Sequence, residues 1–153
     1  MGNLRQLSSG FVKLRDRSPF SHPIIQPNLC ENEQDLDDMV RSVELTLEIF
    51  GSKVWDGYKS SPINFTAEDM SCRQNIKRWL RSNIQSSYHA SCTLPMGSIT
   101  DPTGKLIGIE NLRVVDASIM PSMVSGNLNA TVVMIAEKIS HEMLGGKEEG
   151  AKS

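Results

Sequence analysis

The chain has 153 residues, a formal net charge of −2 and 39% hydrophobic residues, which suits a soluble globular domain with a core of its own. A charge so near zero leaves no electrostatic footprint for nucleic acid or for an anionic membrane surface. No apolar run reaches membrane-spanning length and no apolar signal segment opens the chain, so the cytosol is the default location.

Residues 10–14, GFVKL, alternate apolar and polar side chains and predict a half-buried strand. His22 precedes Pro23, which keeps residues 22–25 extended. From 31 to 50 the apolar residues Leu36, Met39, Val40, Val43, Leu47 and Phe50 fall on one helical face. Glu33, Asp35, Asp37 and Asp38 crowd the first turns of that helix, where its dipole favours them, and Gly51 is expected to end it. Residues 52–65 read as a loop carrying Trp55 and Tyr58, either of them a core anchor or a cavity wall. Thr66 and Asp69 form a capping-box pattern that predicts a second helix running to about Ser82. Ile76, Trp79 and Leu80 would face inward on it, with Arg73, Lys77, Arg78 and Arg81 on a solvated basic face.

Cys30, Cys72 and Cys92 are widely spaced, with no CxxC pair, and His22, His89 and His141 show no ligand spacing. Neither a disulfide framework nor a metal site is predicted.

Residues 86–88 read as a strand end that delivers His89. Residues 112–115 read as a short apolar strand with Asp116 and Ala117 at its carboxyl end, the place where ligands bind in open α/β sheets. Val132, Ile135, Ala136, Ile139 and Met143 then follow helical spacing, and the preceding asparagines predict a helix start near Asn129 or Ala130. Residues 145–153, rich in Gly, Lys and Glu, read as a frayed tail.

Four blocks in this order carry a resemblance: His89-Ala-Ser-Cys-Thr93, NLRVVDASIMP at 111–121, SGNLNAT at 125–131, and MIAEK at 134–138. Together they resemble the C-terminal signature of the glucose-methanol-choline (GMC) family of flavin-dependent oxidoreductases. One departure lies in the first block, where Cys92 precedes Thr93 and Leu94 follows it, whereas relatives place Gly before and Cys after.

The resemblance implies a mixed α/β fragment of the GMC fold. It would comprise part of an α+β substrate-binding domain over 1–84 and a return over 85–144 into a Rossmann-like FAD-binding domain, with its closing strand and helix. It also implies the oxidation of a small-molecule alcohol with FAD as hydride acceptor, since family members carry their active-site His at the position of His89. A neutral imidazole suits the removal of a hydroxyl proton. Asn127 stands where relatives hold His or Asn and would orient the substrate oxygen, while Asn129 caps the helix. Tyr88, Asp116, Ala117, Asn127, Leu128 and Asn129 would contact the cofactor. Backbone N–H groups near Leu128 and Asn129 would face the negative charge of the reduced ring. Asp116 has a second reading, that of tying down the turn behind it.

The GxGxxG turn that holds an ADP pyrophosphate is absent from this sequence; Gly97, Gly104 and Gly108 have the wrong spacing and no helix follows. Two readings follow: the C-terminal part of an alcohol oxidoreductase that needs an N-terminal FAD-binding portion, or a truncated, non-catalytic fragment that holds no FAD by itself. The identity of the alcohol, and whether oxygen or another acceptor takes the electrons, are not legible in these residues.

Overall fold

Helix α1 (Glu33–Gly51) starts where Asn32 accepts a hydrogen bond from the Gln34 amide, and Ser52, not Gly51, caps its far end. Its apolar stripe meets that of α2 (Arg73–Asn83) around Leu36, Val40, Ile76 and Leu80, all buried, with Met39, Val43, Met70 and Trp79 packed at the edges. Helix α2 begins six residues later than the Thr66 pattern predicts, its cap being Cys72 and not Thr66. The reciprocal cap does form, Thr66 Oγ1 accepting from the Asp69 amide and Asp69 Oδ2 accepting from the Thr66 amide. It closes a turn, however, and the helix starts only after Cys72.

Three of the four basic residues on the face of α2 expected to be merely solvated are paired. Lys77 bridges Glu33 (3.1 Å) and Asp37 (2.8 Å), Arg81 reaches Glu33 (2.7 Å), and Arg73 reaches Glu44 (2.7 Å). The acidic first turns of α1 therefore have a cross-helix role as well as a dipole role. The Lys77 ammonium also holds the Asp37 carboxyl below its ordinary value.

Strands β1 (Phe11–Lys13) and β2 (Ile24–Gln26) pair antiparallel as a two-stranded ribbon, Val12 opposite Ile25. The ribbon is exposed throughout, where the alternation predicts a half-buried strand, and among the described residues no second layer covers either face. Buried Asp35 of α1 anchors the segment ahead of the ribbon, accepting from the amides of Leu7 (2.9 Å) and Ser8 (2.7 Å) and from the Ser8 hydroxyl. In the loop after α1 a short 3-10 turn, Lys53–Trp55, stacks Trp55 on Phe50.

The structure describes residues 2, 4–58 and 61–145 of this computed structural model, so the expected tail lies outside them apart from Gly145. The chain divides into two compact units, Met1–Ser87 and Tyr88–Ser153. The second unit is built on α3 (Leu128–Met143), whose Leu128, Ile135 and Ile139 are buried with Ile119 and Met120. Among the described residues no helix is long and apolar enough to cross a membrane.

The strand expectations for residues 86–88 and 112–115 change. Residues 86–88 form no strand, and Tyr88 adopts a left-handed conformation (φ 63°) that ends any extended run. Residues 112–115 bridge the preceding turn only locally: Arg113 pairs with Lys105, the Val114 amide donates to the Gly104 carbonyl (2.8 Å), and the Leu106 amide donates to the Leu112 carbonyl (3.0 Å). Their backbone groups meet a turn, with only enough neighbouring chain for isolated bridges.

Candidate functional site

Asp116 and Ala117 meet residues 90–93 around a wide-mouthed, open depression of about 300 Å³, lined by Ala90, Ser91, Thr93, Asp116, Ala117, Ser118 and Val132. Local sequence explains both walls. Asp116 Oδ1 accepts from the Ser118 amide (2.8 Å) and from the Ser118 hydroxyl, so Asp-Ala-Ser folds into the 3-10 turn Ala117–Ile119. Three carbonyls of that turn then hold the other wall. Ala117 accepts from the Cys92 amide (3.2 Å), Ser118 from Leu94 (2.9 Å) and Ile119 from Met96 (2.9 Å).

His89 stands just before the lining residue Ala90 and is half-buried. The segment that carries it is bracketed by two left-handed residues that are not glycine, Tyr88 and Cys92 (φ 66°). Such residues are sparse and persist only where neighbouring structure over-determines them, a condition that recurs at functional sites. The Ser91 hydroxyl adds a further tie, donating to Met123 Sδ at 3.4 Å and lying 3.2 Å from Cys92 Sγ.

Helix α3 begins at Leu128, one or two residues earlier than expected, and its N-cap is Asn127. Asn129 is therefore inside the first turn and does not cap. Asn127 makes no capping bond with its side chain, which leaves the carboxamide exposed and the first-turn N–H groups uncapped by it. Leu128 points into the core, so its backbone amide is what it can offer a ligand. Val132 lies one turn further on, about 6 Å along the axis, and reaches the cavity wall.

Of the seven residues predicted for the site, Asp116 and Ala117 line the cavity themselves. Tyr88 and His89 adjoin one wall along the chain, and Asn127, Leu128 and Asn129 form the helix start one turn from Val132. Ala90, Ser91, Thr93, Ser118 and Val132 were not predicted for the site, Val132 having been read only as part of the apolar face of the helix. The signal for Ser118 was present in Asp-x-Ser, an Asx-turn pattern. That for Ser91 and Thr93 was their i, i+2 spacing within a block that resembled a site.

The GMC oxidoreductase family model matches residues 6–136, most of the chain. The chain belongs to the GMC oxidoreductase family. Mitochondrial choline dehydrogenase of Homo sapiens is 44% identical over 144 residues, covering 90% of this chain and 24% of that protein. An oxygen-dependent choline dehydrogenase of Pseudomonas putida is 36% identical over 151 residues, covering 96% and 26%. Among solved structures, an FAD-dependent oxidoreductase from Chaetomium thermophilum is similar with a TM-score of 0.84 and 26% identity, covering 93% of this chain and 25% of that one. The mixed α/β fold is thus that of the C-terminal region of GMC enzymes, and the chain spans about a quarter of the length of the curated relatives it matches.

Proposed function

We propose that this chain is the flavin-facing C-terminal part of a longer alcohol oxidoreductase, with residues 1–84 contributing to the substrate side and 85–144 to the cofactor side. The observation that carries this is the cavity between residues 90–93 and 116–118, adjoining His89 on one wall and the start of α3 through Val132.

The residues around the cavity fit part of an FAD. Three hydroxyls, from Ser91, Thr93 and Ser118, suit a polyol chain, and Ala90, Ala117 and Val132 offer a small apolar surface. A volume near 300 Å³ is at the lower end for ligand sites, so this wall would hold only a portion of so large a group. Tyr88, the backbone of Asp116 and Ala117, and the amides of Leu128 and Asn129 would complete the contacts. FAD, when bound, supplies the acceptor for a hydride leaving the substrate carbon. His89 would take the hydroxyl proton of the alcohol, an imidazole being a suitable general base for that step. Asn127 would hold the same oxygen through its unspent carboxamide. The N-terminal dipole and open N–H groups of α3 would favour negative charge beside them without displacing water at the moment of reaction.

For the isolated polypeptide a second reading, a non-catalytic fragment, is favoured by the absence of GxGxxG and by the quarter-length match. Both are tested by a chimera in which residues 10–144 replace the matching part of the Pseudomonas putida relative, with choline as the first alcohol to try. The chimera should purify with a flavin absorbance and turn over, whereas the isolated chain with added FAD should not. His89→Ala in the chimera should lower turnover by about 10²–10⁴-fold with flavin retained. Undiminished turnover in that variant would remove His89 as the base. Asn127→Ala should slow flavin reduction, and an unchanged rate would remove the Asn127 carboxamide from the reaction.

A further inference from the structure

We infer that the Asp116 carboxylate is a positioning residue for the segment that carries His89, acting through the Ala117–Ile119 turn; this rests on the reading of His89 given above. Oδ1 of Asp116 is occupied by the Ser118 amide and the Ser118 hydroxyl, so this oxygen serves the turn and not a ligand. The turn so fixed presents three successive carbonyls to the amides of Cys92, Leu94 and Met96. Those bonds hold Cys92 in its left-handed conformation, the strained residue three places after His89. Capping of one turn is thereby coupled to the direction in which the preceding five-residue stretch leaves its anchor. Ile119 and Met120, buried in the core beneath, keep the turn from moving to follow the segment.

The coupling predicts a local and directional response. In the full chain, Asp116→Ala should raise amide exchange at Cys92, Leu94 and Met96 about tenfold, the usual scale for loss of a cap, while Ile135 and Ile139 of α3 keep their protection. Of the three histidines, only His89 should show shifted imidazole resonances, with His22 and His141 as internal controls. Asp116→Asn retains an acceptor oxygen for both Ser118 donors and should restore both readouts. Should Asp116→Ala fail to fold, Ser118→Ala decides, because it removes the hydroxyl bond alone and should give a smaller rise at the same three amides. The inference is overturned if those amides and the His89 resonances stay unchanged, if α3 loosens in step with them, or if Asn behaves like Ala. No flavin or turnover enters these measurements. A positive result alongside a fully active His89→Ala chimera would retain the coupling and reject the base, and the converse would do the reverse.

Discussion

Substituting Gly104 by Ala tests how the second unit is held together. Gly104 has φ +77°, and an added Cβ would lie 2.5 Å from the Val114 carbonyl oxygen and 3.2 Å from Ile139 Cδ1. The left-handed backbone costs any L-residue about 1–2 kcal/mol. The carbonyl cannot yield freely, because the Val114 amide is bonded back to the Gly104 carbonyl at 2.8 Å, and crowding of this kind costs about 1–3 kcal/mol more. Gly108 supplies the control: its φ is +82°, but none of the described residues lies within 4 Å of an added Cβ, so Gly108→Ala should show the backbone cost alone. The expectation is a loss of about 2–5 kcal/mol for Gly104→Ala and about 1–2 kcal/mol for Gly108→Ala. Tryptophan fluorescence is the wrong probe, since Trp55 and Trp79 both lie in the first unit. Urea titration followed by the α3 amides of Ile135 and Ile139 reports on the right one. Equal losses for the two variants would mean that the close approach to Val114 is not tight, and the packing account of this turn would be wrong. The same shift would move the chain two residues before Asp116, so Gly104→Ala should also weaken flavin retention in the chimera.

Other consequences are simpler to read. Burial of Asp35 opposes its charge, but the Ser8 hydroxyl and the Leu7 and Ser8 amides outweigh that and hold its carboxyl below the ordinary value. Its contribution is therefore complete above the unfolded value of about 4 and is lost as pH falls through the depressed one. Asp35→Asn should destabilise the first unit by about 1–3 kcal/mol at neutral pH and flatten its acid dependence below pH ~4, followed by tryptophan fluorescence; an unchanged acid limb would show that Asp35 is not the group responsible. Ile139→Ala, at a side chain 2% exposed, should cost about 2–5 kcal/mol in the α3 titration. Val133→Ala, on the 52% exposed side of the same helix, should stay within about 0.5 kcal/mol, and a reversal of that order would contradict the assignment of the buried face.

What the sequence made legible was what depends on neighbours three or four residues away. The stripes of α1 and α2 could be read as faces, because Leu36, Val40, Ile76 and Leu80 repeat at helical spacing and are the residues found buried. The partnership between the charges of those helices was not legible, since Lys77 and Glu33 are 44 residues apart and only tertiary packing brings them together. Strand predictions suffered for the same reason. Apolar residues at 112–115 have the composition of a strand, yet a strand exists only as far as its partner runs, and here the partner is the Gly104 turn.

The helix start shows a subtler limit. Asn127 and Asn129 have equal capping chemistry, and propensity alone cannot rank them. Leu128 decides, because burying it with Ile135 and Ile139 requires that it already be on the helix, which pushes the cap back to Asn127. That displacement has a functional side. A cap at Asn129 would have placed a side-chain oxygen on the first free amides of α3, the groups the proposed chemistry needs. With Asn127 at the cap and its carboxamide not bonded to them, the burial of Leu128 sets where the helix begins, and the Asn127 side chain is not spent on those amides. The residue that fixes the geometry of this end of the proposed site is thus an apolar one, Leu128, and its position in the sequence carries no chemical signature of that role.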